Sequence, residues 1–160
     1  MDITYNRQAA VEYAKKWAFL RNPAFFNFET LGGDCTNFIS QCLLAGDMPM
    51  NFTPIYGWYY KNLKNRAPAF SSAKYLYNFL TREKHTTGPV AIECEIKDLE
   101  VGDIIQLTFD NAVFTHSLLV VKAGEDPQIA AHTYDAFGRK LSSYTHAVGM
   151  RGLHVLGGRR

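Results

Sequence analysis

Apolar residues return every three or four positions through the first half of the chain. In the second half they alternate or form short unbroken runs. Ala10, Val11, Ala14, Trp17 and Ala18 fall on one helical face, with Glu12, Lys15 and Lys16 opposite. Asn22-Pro23 stops that helix, because the residue before a proline avoids the helical region. Cys35, Phe38, Ile39, Cys42 and Leu43 make a second apolar face, closed by Ala45-Gly46. A third helix is predicted from a Ser71-Ser72 cap to Glu83, burying Leu76, Phe79 and Leu80. Stretches 24–31 and 51–70 are rich in aromatics, proline and asparagine and read as irregular.

Strands are expected at 103–109, 114–121, 128–133 and 150–156, separated by glycine, asparagine or proline. Helices followed by strands point to an α+β fold, with the helices packed on a C-terminal antiparallel sheet or small barrel. A length of 160 residues suits one domain over residues 1–160. A hydrophobic fraction of 47% with 20% charged residues is that of a soluble globular chain. The net charge of +2, without a dense basic run, gives no grounds for a nucleic-acid partner. No apolar run approaches the roughly 20 residues that cross a bilayer, so no membrane insertion is expected. The first residues lack a signal-peptide pattern. The address is then cytoplasmic, or that of a domain excised from a secreted or cell-wall protein, and a monomer is expected.

Chemistry concentrates at Gly32-Gly33-Asp34-Cys35-Thr36-Asn37. Two glycines permit a sharp turn, Asp34 is an N-cap candidate, and Cys35 falls on the first turn of a helix. The positive end of the helix dipole favours a thiolate there, and first-turn amides near Asp34 and Thr36 can face an oxyanion. The competing reading is a small buried residue starting an apolar face. Cys42 lies further along that face among apolar neighbours, and Cys94 stands between Glu93 and Glu95; neither suits a nucleophile. The odd count of three cysteines leaves at least one thiol free.

A thiolate hydrolase needs an imidazole. His116 opens the most apolar strand, where it serves as general base and acid or as a satisfied core histidine. His132 ends the next strand and can orient His116 if the two strands pair; Asp135 is the competing orienter. Cys35, His116 and His132 also form a conceivable zinc set, without the spacing of a known metal motif. The loop Tyr56-Gly57-Trp58-Tyr59-Tyr60 offers Trp58 and Tyr59 to stack on a substrate, or to cover the core beneath.

Gly-Asp-Cys-Thr-Asn-Phe-Ile-Ser-Gln-Cys at 33–42, Val101-Gly102-Asp103, Thr115-His116-Ser117 and Ala131-His132-Thr133 together resemble the bacterial putative amidase domain family. That family is similar to the NlpC-type and CHAP-type cysteine peptidases of the papain-like superfamily. The resemblance spans nearly the whole chain; it departs at Ser71-Ser72, where relatives are expected to carry Ser-Trp. It implies a papain-like fold with Cys35 as nucleophile, His116 as base and His132 as third member. The implied reaction, which needs no cofactor, is hydrolysis of an amide through a thioacyl enzyme. The implied substrate is a peptide or peptidoglycan-derived amide. A catalytically silent cell-wall binding module and an acyltransferase are the alternatives.

Overall fold

A computed structural model describes residues 1–160. Helix α1 (Arg7–Trp17) begins at Asn6, whose side chain accepts the Ala9 amide at 3.0 Å. Ala10 and Ala14 on its inner face, and Ala18 just past its end, are fully buried, and these small side chains let it lie close on α2 (Cys35–Ala45). Helix α2 is central: every residue from Cys35 to Leu43 is buried. The helix expected from 71 to 83 is instead two, α3 (Pro68–Ser71) and α4 (Ala73–Leu80), parted at Ser72 in an extended conformation. Ahead of them, β1 (Tyr60–Asn62) and β2 (Asn65–Arg66) form a small hairpin within the stretch read as irregular.

The remaining strands are β3 (Gly88–Cys94), β4 (Ile104–Thr108), β5 (Phe114–Lys122), β6 (Gln128–Ala131), β7 (Ala136–Lys140) and β8 (Gly149–Arg159). They build one antiparallel sheet in the order β3-β8-β4-β5-β6-β7. The fold is α+β, as the order of elements predicts. The sheet is apolar on both faces. Leu119, Ala130 and Leu153 join the helices in the larger core, while Leu118, Val120, Ile129 and Ala131 pack with Leu99 and Leu141 on the other side. No helix is long and apolar enough to cross a membrane.

Two polar anchors tie the helical layer to the sheet. Asp103 is fully buried and accepts from Arg7 Nη1 at 2.7 Å, the Val155 amide at 2.9 Å and the Glu100 amide at 2.8 Å, while His154 Nδ1 stands 2.8 Å away. Gln106, also fully buried, donates to the Ala73 carbonyl at 2.9 Å and to Ser117 Oγ at 3.2 Å, and accepts from Arg151. Trp58 belongs to the core. It is fully buried, donates to Ser40 Oγ at 3.0 Å and packs on Phe70 and Phe79. The expectation that it stacks on a substrate is therefore corrected: its surface is consumed by packing. Tyr59 rests against Phe52 in the same loop, with ring centroids 5.7 Å apart, and neither residue lines the cleft that holds Cys35.

Candidate active site

The turn before α2 is built as the glycines suggest. Gly32 and Gly33 adopt φ of 88° and 96°, the left-handed region that residues with a Cβ avoid. This swing drops Asp34 inside the protein and starts the helix at Cys35. Asp34 does not cap α2 with its side chain. Its carboxylate is drawn elsewhere, accepting the Phe28 amide at 2.8 Å and Asn37 Nδ2 at 3.0 Å through Oδ1. Oδ2 pairs with His132 Nδ1 at 2.6 Å. The first-turn amides of α2 are thus left without a capping side chain.

Cys35 is 7% exposed. Its thiol donates to the Thr115 carbonyl at 3.6 Å, on the residue before His116, and lies 3.8 Å from Thr36 Oγ1. Thr36 Oγ1 in turn sits 2.9 Å from Ser117 Oγ, so the thiol joins a buried polar chain running through Ser117 to Gln106 and Arg151. Burial pushes the Cys35 thiol up, with Asp34 adding to the rise against hydrogen bonds from Ser117 and Thr36. The expectation of a preformed thiolate is corrected on this point, because burial is the largest influence on the thiol and favours its protonated form. Cys42 is fully buried and pushed up further by burial.

His116 lines the same cleft as Cys35. Burial holds it down to about 4, with the Arg139 guanidinium adding to the fall and Glu29 opposing it. It is therefore a neutral imidazole at neutral pH. Its ring stands 6.0 Å from that of Tyr144, centroid to centroid. The expectation that His132 or Asp135 orients it is corrected. Leu119 pairs with Ala130 and faces the helices, whereas Leu118, in step with His116, faces the other side. His132 continues the alternation of Ala130. Its ring stacks on Phe38 at 3.9 Å, and its two nitrogens meet Asp34 at 2.6 Å and the Trp17 carbonyl at 2.8 Å. With both nitrogens engaged it serves neither His116 nor the conceivable zinc set. Asp135 pairs with Arg21 at 2.9 Å on the outside, where Arg21 also holds Glu29.

Cys35 and His116 share a cleft of about 590 Å³ whose other walls are Gly32, Gly33, Phe109, Thr115, Thr133, Tyr134, Arg139 and residues 143–146. That volume suits a short peptide or small organic substrate. Tyr144 and Arg139 are the residues that sequence reasoning missed. Neither belongs to a recognisable pattern, and they reach the cleft through β7 and the 3₁₀ turn after it, an edge strand with no apolar signature. His146 is exposed and also lines the cleft.

The sequence model described as putative amidase domain matches residues 4–154. The chain is also 33% identical, over 162 residues, to the uncharacterized protein YhbB of Bacillus subtilis (strain 168). The match covers 95% of this chain and 50% of that protein, so the chain spans half the length of this curated relative. No solved structure matches it significantly.

Proposed function

The chain belongs to the putative amidase domain family, and from that membership, which points to amide hydrolysis, we propose that it is a cysteine amidase or peptidase. Cys35 is the nucleophile and His116 the general base and acid, in a papain-like arrangement of a helix-borne thiol and a strand-borne imidazole. The observation that carries this reading is that Cys35 and His116 line one cleft at the uncapped start of α2. The reaction begins from a neutral pair. As substrate closes the cleft, His116 takes the thiol proton and the sulfur attacks the amide carbonyl. The first-turn amides of α2 face the oxyanion that forms. The imidazolium then gives its proton to the departing amine, leaving a thioacyl enzyme, and water activated by neutral His116 releases the acid. Hydrogen bonds of this kind tighten when substrate arrives, so the empty cleft need not hold thiol and imidazole in contact. His132 and Asp34 act from behind, locking the turn that presents Cys35.

The substrate class that fits the family resemblance is a peptide amide of bacterial cell-wall material. Purified peptidoglycan digested with the native protein should release fragments identifiable by mass. Cys35→Ala and His116→Ala should each slow that release by roughly 10³-fold or more. Release undiminished by Cys35→Ala would overturn the nucleophile. Binding to peptidoglycan without any release would identify a silent binding module instead.

A further inference from the structure

The walls of the cleft include one guanidinium and no carboxylate. Arg139 is held from one side only: Nε donates to Ser143 Oγ at 2.7 Å and Nη2 to the Ser143 carbonyl at 3.3 Å. Nη1 has no partner, and the side chain makes no ion pair, whereas Arg7, Arg21 and Arg159 all pair with carboxylates. The guanidinium carbon stands 3.7 Å above the centre of the Tyr144 ring, which fixes its plane. The Tyr144 hydroxyl is buried and has no hydrogen-bond partner. Burial pushes the phenol up, the neighbouring Arg139 guanidinium draws it down, and Cys35 is close enough to add to the rise. A half-satisfied guanidinium in a cleft whose walls hold no carboxylate is arranged for an anion that the protein itself does not supply.

We propose that Arg139, backed by the Tyr144 ring, forms a carboxylate-binding subsite beside Cys35, so that the amide cleaved there carries a free carboxylate close to the scissile bond. The planar fork of Arg139 matches a carboxylate, and the Tyr144 ring backs the guanidinium from below. The subsite also bears on the base. After burial, Arg139 is the next cause holding His116 down, with Glu29 acting the other way. A carboxylate on Arg139 cancels that cation and eases transfer of the thiol proton to His116. The word "cleaved" rests on the amidase reading; the subsite itself is testable without turnover.

The probes are iodoacetate and iodoacetamide, which differ in a carboxylate. In each, the Cys35 sulfur forms a bond to carbon as the carbon–iodine bond breaks and iodide leaves. Rates at Cys35 are followed by peptide mass in the full-length protein, and the acid-to-amide ratio is divided by that for free mercaptoethanol. The native ratio should favour iodoacetate by roughly tenfold, as expected for one charge-assisted pair. Arg139→Gln should bring the normalised ratio to that of free mercaptoethanol, and continued reaction of Cys35 with iodoacetamide reports an intact cleft. Arg139→Lys, which keeps the charge and loses the fork, should retain part of the preference and carries the test if Arg139→Gln fails to fold. No preference in the native protein, or an equal preference in Arg139→Gln, overturns the subsite. Hydrolysis that survives Cys35→Ala overturns Cys35 as the nucleophile and leaves this result standing.

Discussion

At the scale of single residues, the site is governed by burial more than by local charge. His116 sits at about 4 in the folded chain, against an ordinary value of 6.5. As pH falls below 6.5 the unfolded chain takes up a proton that the folded chain refuses, so stability is lost from 6.5 down to about 4. The loss from this group alone should reach roughly 3 kcal/mol. His116→Asn should flatten the profile of urea-unfolding free energy against pH across that window. An unchanged slope would mean that His116 is not held neutral. The same burial raises the Cys35 thiol, so in the proposed mechanism proton transfer to His116 is a step that substrate binding assists.

At the scale of elements, the Asp34–His132 pair joins the start of α2 to the end of β6, and His132 reaches on to the end of α1. Both partners are buried, so removing one leaves the other without compensation. Asp34→Asn should lower unfolding free energy by about 3–5 kcal/mol in urea titration. Asp135→Asn, in an exposed pair with Arg21, should cost about 1 kcal/mol or less; equal effects would refute the structural role of the buried pair. The sequence made the inner elements legible: α1, α2, β4, β5, β6 and β8 all lie where periodicity places them. It failed at the margins of the sheet. β3 is an edge strand with Pro89 near its start, and β7 is an edge strand interrupted by Gly138 and ending in Arg139-Lys140. Edges carry such residues because half their backbone lacks a partner, and this erases the strand signal. The same margin hid Arg139 and Tyr144. Cys35 and His116 were legible because turn glycines and an apolar strand mark them locally. The direction in which His132 points depends on register and helix packing, which no local pattern records.

At the scale of the whole molecule, the buried carboxylate of Asp103 closes the architecture. It links α1 through Arg7, the start of β4 through its own backbone, and β8 through Val155 and His154. Tyr5 supports the same junction by donating to the Gly102 carbonyl at 2.8 Å. Asp103→Ala should lower unfolding free energy by about 3–5 kcal/mol, because Arg7 and the Val155 amide lose their acceptor together. A thermal-unfolding midpoint within a degree of the parent would show that the junction is dispensable. The cleft has its own long reach. Its walls are drawn from Gly32 to His146, so Cys35, the proposed nucleophile, leaves the ribosome long before the strands and turn that enclose it. During synthesis Cys35 is an ordinary exposed thiol with no base beside it, and chemistry becomes available only when nearly the whole sheet has been made. A chain that stalls partway therefore carries the thiol without the cleft that would shield it.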